Sequence, residues 1–281
     1  MSMWTDLNQV PHTLRFVDVG RWRTRVLEAG SGPALLLMHG TGGHLEAYAR
    51  NIGALSRVRR VIAYDFPGHG YTTHAVSDLE IADYVEHATG LMDELGMAAA
   101  DICGESLGGW VGMVLASQQP QRVRRLVLNT PGGTMANPEV MARIRTLSQD
   151  AADNPTEEKI RSRLAWLMAD PTSVTDELVQ VRRAIYAQPT FATSMRHILC
   201  LQDEQTRRRN LVSDHHLRAI TAPTRVIWTS DDPSGPAAEG KRLTAELAQA
   251  DFALIEGAGH WPQWERPADF NRIVAEFLAE S

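Results

Sequence analysis

Gly104-Glu105-Ser106-Leu107-Gly108 is the stretch on which the reading of this chain turns. The residues before it, Ala98 to Cys103, read as a short buried strand, and those after it, Trp110 to Ser117, read as a helix. A serine between two glycines at a strand-to-helix junction forms an elbow that holds the hydroxyl proud of a sheet. The turn is so sharp that the neighbours two away on each side must be small, a need that glycine meets. Because the five-residue pattern recurs by chance, its weight depends on partners elsewhere in the chain.

Those partners follow in order. Thr224-Arg225-Val226-Ile227-Trp228 is a strand-like run that leads into Thr229-Ser230-Asp231-Asp232-Pro233. Leu254-Ile255 ends a further strand, and Glu256-Gly257-Ala258-Gly259-His260 follows as a loop. Serine, aspartate and histidine, in that chain order, make up a catalytic triad on an α/β scaffold. Upstream, Ala34-Leu35-Leu36-Leu37-Met38 runs into the glycine-rich loop His39-Gly40-Thr41-Gly42-Gly43. A loop of this kind can bring a backbone N–H to a reacting oxygen.

Size and composition bound the answer. A chain of 281 residues can bury a large core as one α/β unit with an inserted subdomain. Its 43% hydrophobic and 22% charged content is ordinary for a globular protein. A net charge of −6 argues against a nucleic-acid partner. The short basic runs Arg122-Val123-Arg124-Arg125 and Arg207-Arg208-Arg209 read as solvated faces. Two cysteines, Cys103 and Cys200, give no disulfide framework and no metal motif. The start of the chain lacks the basic and apolar segments of a signal peptide, and no apolar run approaches the roughly 20 residues that span a bilayer, so a cytoplasmic location with no membrane partner is expected.

Strand and helix patterns alternate over most of the chain, which implies a mostly parallel central sheet flanked by helices. Ile81 to Leu95 carries helical spacing and ends at Gly96. From about Met135 to His215 the alternation stops. Asn154-Pro155-Thr156-Glu157 reads as a helix start with Asn154 as the cap, Thr175 can cap a second helix, and Phe191 to Leu201 reads as a third. The expected division is therefore a core over 1–134, a helical lid over 135–215 that supplies the substrate pocket, and the rest of the core over 216–281. Strand–helix alternation resumes at Thr224, with helices over 237–248 and 267–280.

In this constellation Ser106 is the candidate nucleophile and His260 the base that takes its proton and returns it to a leaving group. Of two adjacent aspartates, Asp232, the one before proline, is preferred as the group that orients the imidazole; Asp231 is left to face solvent or cap the turn. The backbone N–H groups of Thr41 and Leu107 are the expected oxyanion hole. His39 reads as a structural hydrogen-bonder beneath that loop; His44 and His69, near the sheet edge, could line a pocket but read first as exposed or hydrogen-bonded side chains. His215-His216 lacks the further ligands of a metal site, and Trp166 and Met168 have the spacing of core residues.

With these residues assembled, the chain resembles the α/β hydrolases over essentially its full length, and among them the carbon–carbon hydrolases of aromatic meta-cleavage pathways. Gly259-His260-Trp261-Pro262-Gln263-Trp264-Glu265 followed by Phe270-Asn271-Arg272 is similar to a segment of that family; Ser106-Leu107-Gly108-Gly109 and Pro131-Gly132-Gly133 also fit. The resemblance implies an α/β-hydrolase fold with an inserted helical lid. It further implies a small-molecule substrate of the 2-hydroxy-6-oxo-hexa-2,4-dienoate type, no metal or organic cofactor, and a possible homo-oligomer. It assigns Arg182, on a lid segment similar to Thr175 through Arg182, to the substrate carboxylate or enol, with Arg183 as the alternative, and makes Trp261 a pocket residue. The chain departs from the family twice: Glu105 and Ala47 stand where the family usually has asparagines. These departures keep open a carboxylesterase or lactonase using the same triad. A catalytically silent binding module on this fold is a third reading.

Overall fold

In a computed structural model, which describes residues 2–279, eight strands form a single sheet in the order β1-β2-β4-β3-β5-β6-β7-β8. They are β1 (His12–Val19), β2 (Trp22–Ala29), β3 (Ala34–Met38), β4 (Arg60–Tyr64), β5 (Ala100–Glu105), β6 (Val123–Asn129), β7 (Thr224–Thr229) and β8 (Ala250–Ile255). β1 and β2 form an antiparallel hairpin, β2 joins β4 antiparallel, and every pairing from β4 to β8 is parallel. The α/β hydrolase fold expected from the sequence is the one present.

The apolar runs explain the parallel sheet. β3 and β5 are buried at every position, as strands covered on both faces must be. Successive side chains alternate between two cores. Leu35, Leu37, Cys103, Val127 and Ile227 pack on one face, whereas Leu36, Met38, Ile102, Leu126, Leu128, Val226 and Trp228 pack on the other.

Between β6 and β7 the chain forms the helices Pro138–Asp153, Glu157–Ala165, Asp176–Tyr186, Phe191–Ile198, Glu204–Asn210 and Asp214–Ala219. Thr175 caps the third of these, accepting a hydrogen bond from the N–H of Leu178. The start of the second lies two residues later than the sequence suggests. Thr156, not Asn154, is its cap, because the Thr156 hydroxyl accepts from the Lys159 N–H, while Asn154 closes the preceding helix. The helix from Phe191 ends at Ile198 and tightens into a 3₁₀ turn over Leu199–Gln202. The helix from Ala237 ends at Glu246, and that from Pro267 runs to Ala279; Glu280, where the sequence reading ended it, lies outside the described residues.

A buried charge network, not foreseen from the sequence, fixes the loops after β3 and β4. The Arg25 guanidinium on β2 donates to both carboxylate oxygens of Glu46 (2.9 and 2.7 Å) and both of Asp65 (2.6 and 3.2 Å). Asp65 also accepts the N–H groups of Leu45 and Tyr71, and Glu46 is 2.8 Å from His44 Nδ1. Burial alone would raise the Glu46 carboxyl, but its contacts with His44 and Arg25 outweigh that and hold it well below the usual carboxylate range. Arg25→Met leaves two buried carboxylates without their counter-ion, so urea unfolding should show a loss of about 3–5 kcal/mol. A loss below about 1 kcal/mol would contradict this account of the network.

Candidate active site

The loops that follow β3, β5, β6, β7 and β8 converge at one end of the sheet, the end where open α/β sheets bind ligands. They line a cleft of ≈ 910 Å³, including its mouth, with Gly40, Thr41, Ser106, Leu107, Pro131, Ser234, His260 and Trp261 among its walls. The opposite wall comes from the inserted helices through Met141, Ile144, Arg163, Trp166 and Leu167.

Ser106 occupies the turn between β5 and the helix Leu107–Gln118 with φ +51°, a left-handed conformation that non-glycine residues seldom adopt. Packing on both sides holds it there. A Cβ on Gly104 would overlap the backbone of Gly108 and Gly109, and one on Gly108 would overlap the carbonyl of Met38 on β3. The Ser106 N–H donates to the Asn129 carbonyl of β6 (3.1 Å), while its own carbonyl accepts from Trp110 and Gly132. Leu107 opens the helix, so its N–H has no intrahelical acceptor, and it lines the cleft beside Thr41.

His260 is 6% exposed, and its Nδ1 lies 3.0 Å from each oxygen of Asp232. A carboxylate only accepts, so Nδ1 carries the proton and Nε2 is left with its lone pair. Burial would lower this imidazole, but the charge and hydrogen bond of Asp232 outweigh it and raise the group above its usual value. Ser234 completes the arrangement: its N–H donates to Asp232 Oδ1 (2.8 Å), and its hydroxyl is 3.2 Å from His260 Nδ1. The His260 backbone is fixed by its N–H to the Leu167 carbonyl (2.6 Å) and by its carbonyl, which accepts from the Thr130 hydroxyl (3.0 Å). Asp231 is exposed and bonded to the Ser230 hydroxyl.

The structure thus brings Ser106, His260, Thr41, Leu107 and Trp261 to one cleft, with Asp232 behind the histidine. Arg182 departs from expectation: it is fully buried and does not line the cleft. Its guanidinium sits 5.3 Å from the ring centroid of Trp261 and 5.8 Å from that of Tyr186, and none of its three nitrogens has a hydrogen-bond partner. Arg183 points outward to Glu157 and the Pro155 carbonyl. Trp166, read as core, packs against the core and also lines the cleft, while Met168 is core. His39 is the expected hydrogen-bonder: its Nε2 accepts from the Phe66 N–H, so Nδ1 donates to the Gly40 carbonyl, and burial lowers its pKa to about 3. His44 and His69 are fully buried and hydrogen-bonded rather than exposed.

Glu105 and Arg163 are the cleft groups whose chemistry the sequence left undefined. Glu105 is 1% exposed; one carboxyl oxygen is 3.5 Å from His260 Nε2, and the other has no partner. Its carboxyl lies against Gly40, where a Cβ would stand only 2.5–2.9 Å away, so the glycine makes room for it. Burial raises its pKa, against the opposing pull of His260, the Gly40 N–H, Arg163 and Arg182. The helix bearing Arg182 also reaches the oxyanion loop, through the Tyr186 hydroxyl to the Gly42 carbonyl (2.9 Å).

The chain belongs to the α/β hydrolase fold family, which matches residues 33–267, and within it to the meta-cleavage product hydrolases. A 2-hydroxy-6-oxo-6-phenylhexa-2,4-dienoate hydrolase from Burkholderia cepacia is 32% identical over 276 residues, or 95% of each chain. A 2-hydroxy-6-oxononadienedioate/2-hydroxy-6-oxononatrienedioate hydrolase from Pseudomonas sp. is 30% identical over 94% of this chain and 96% of its own. The solved structure of the meta-cleavage product hydrolase CumD from Pseudomonas fluorescens IP01 matches with a TM-score of 0.82 at 29% identity, covering 96% and 98% of the two chains.

The geometry at His260 has a direct spectroscopic consequence. Nuclear magnetic resonance should find its imidazole titrating above about 6.5. Asp232→Asn removes the charge that favours the imidazolium and should move the midpoint below that value. An unchanged midpoint in the variant would show that Asp232 does not govern this histidine.

Proposed function

We propose that the protein hydrolyses a carbon–carbon bond in a 2-hydroxy-6-oxo-hexa-2,4-dienoate, giving a 2-hydroxypenta-2,4-dienoate and a carboxylic acid. The observation that carries this reading is the meeting, in one cleft, of a serine on a left-handed turn and a histidine whose Nδ1 is engaged by a buried aspartate. Full-length similarity to hydrolases named for such dienoates supports the substrate class.

The chemistry runs in two stages. The dienol first becomes its keto tautomer by moving a proton from the 2-hydroxyl to C5, which makes the C5–C6 bond breakable by placing an electron sink beside it. Ser106, its proton taken by His260, then adds to the C6 carbonyl, and the N–H groups of Leu107 and Thr41 receive the oxyanion. Collapse breaks C5–C6, and the electron pair leaves as a dienolate that takes the proton from His260. Water, activated by the same imidazole, releases the acid and restores the serine. Asp232 holds the imidazole tautomer and stabilises its charged form. Trp261 forms a wall of the pocket, and the Arg182 guanidinium, 5.3 Å from its ring centroid, gives that wall a positive potential. The helices between β6 and β7 act as the lid. The same reading puts the protein in the cytoplasm as an enzyme of a small molecule; both cysteines are free, and no helix among the described residues is long and apolar enough to cross a membrane.

Meta-cleavage products are yellow, so turnover can be followed as loss of colour. Ser106→Ala and His260→Ala should each slow that loss by at least about a thousandfold. A protein that leaves a panel of such dienoates intact while hydrolysing p-nitrophenyl esters rapidly would be an esterase instead.

A further inference from the structure

Glu105 is the last residue of β5, stands next to the nucleophile and lines the cleft, yet the triad chemistry does not use it. One of its carboxyl oxygens lies 3.5 Å from Nε2 of His260, the nitrogen that must take the Ser106 proton. Contacts of this kind are often long in an empty site and tighten during reaction. Asp232 holds the opposite nitrogen, so the catalytic imidazole stands between two carboxyl groups. Gly40 makes the second contact possible: a Cβ there would come within 2.5–2.6 Å of both Glu105 oxygens. Gly40 also precedes Thr41, so the carboxyl lies against the loop whose N–H would receive the oxyanion.

The surroundings of Glu105 decide its charge. Burial favours the neutral acid, and its second oxygen has no partner. Against burial act His260, the Gly40 N–H, and the guanidinium groups of Arg163 and Arg182 on the inserted helices. Neither arginine forms an ion pair with Glu105 among the described residues. The Tyr48 hydroxyl and the Cys103 thiol also feel Glu105; burial keeps both protonated and pushes the thiol up to about 12. A carboxyl and an imidazole this close titrate as a pair. While Glu105 is neutral, His260 is free to act as an uncharged base. Once ionised, Glu105 would favour the imidazolium, which cannot take the Ser106 proton, and would place negative charge beside the forming oxyanion.

We propose that Glu105 is a positioning residue that acts through Nε2 of His260: as the neutral acid it permits the serine to react, and its ionisation suppresses that reaction. Activity therefore falls as pH rises through the upper midpoint of the pair, and falls again below the lower midpoint, where the imidazole is charged. An asparagine, which the resemblance leads one to expect at this position, could not ionise. This role for Glu105 rests on His260 as the base of Ser106, part of the reading above, but not on the dienoate substrate.

The rate at which an uncharged fluorophosphonate labels Ser106, followed against pH, tests this whatever the substrate is. The wild-type profile should be bell-shaped, with an alkaline fall of at least about tenfold, the scale of a nearby like charge at an effective dielectric of about 20. Glu105→Gln keeps the size of the side chain and an N–H donor but cannot ionise; its rate should rise with pH to a plateau and stay there. Nuclear magnetic resonance gives a readout independent of reactivity. The His260 titration should be broader than that of a single site in the wild type and single-site in Glu105→Gln. A wild-type profile without the alkaline fall overturns the proposal, as does a fall that persists in Glu105→Gln or a histidine curve that is the same in both proteins. If the glutamine variant fails to fold, the carboxyl carbon of Glu105 in the wild type decides: it should titrate together with His260, and a carboxyl ionised throughout the histidine titration overturns the assignment. A wild type that is labelled at no pH fails the nucleophile reading instead, and the titration curves then judge Glu105 by themselves.

Discussion

The turn at Ser106 is the constraint on which the rest of the site depends. A serine at φ +51° is unfavourable for an L-residue and persists only when its surroundings dictate it. Here the surroundings are backbone: Gly104 against Gly108 and Gly109, and Gly108 against the end of β3. Because a side chain at either glycine would force the helix Leu107–Gln118 away from the sheet, the close approach of helix to sheet and the presentation of the serine are one requirement. The same approach sets the start of that helix, with its unpaired N–H groups, beside the loop that carries Thr41.

Around this turn the protein uses two kinds of buried charge. Arg25, Glu46 and Asp65 are fully matched and serve rigidity, binding the loops after β3 and β4 to each other. Glu105, Arg163 and Arg182 are buried yet incompletely partnered, and all three lie at or just behind the cleft. Incomplete pairing of a buried charge opposes stability, and a charged molecule entering the cleft would offset that cost there. Glu105 where the resemblance leads one to expect asparagine, together with Arg163 facing the same space, gives this cleft a charge arrangement of its own.

Much of the fold was legible because its determinants are local. Apolar runs such as Ala34–Met38 specify buried parallel strands, and the glycines flanking Ser106 specify the turn. The order of Ser106, Asp232 and His260 then limited the topologies that could join them. Asp232 over Asp231 could be preferred from its place before proline, and the structure puts Asp232 against the imidazole. The rest depends on contacts between distant segments. Nothing local in Arg25 shows that it will face both Glu46 and Asp65. Helical spacing made Trp166 look like core because the sequence cannot say which apolar face meets a cavity and which meets protein. Arg182 was matched to a role through a similar segment, but whether its side chain reaches the cleft wall depends on tertiary packing, and here it is buried against the rings of Trp261 and Tyr186. Arg163 carried no motif, and it stands out only as a buried guanidinium with an unpartnered nitrogen in a cleft wall.

The central claim is that this backbone turn makes Ser106 an activated nucleophile. Its most direct test is the intact mass of the protein after exposure to a fluorophosphonate, followed by peptide mapping. The account predicts one adduct per chain, carried by the peptide containing Ser106 and missing when that residue is alanine. An unlabelled wild type, or a label on another residue, would contradict it.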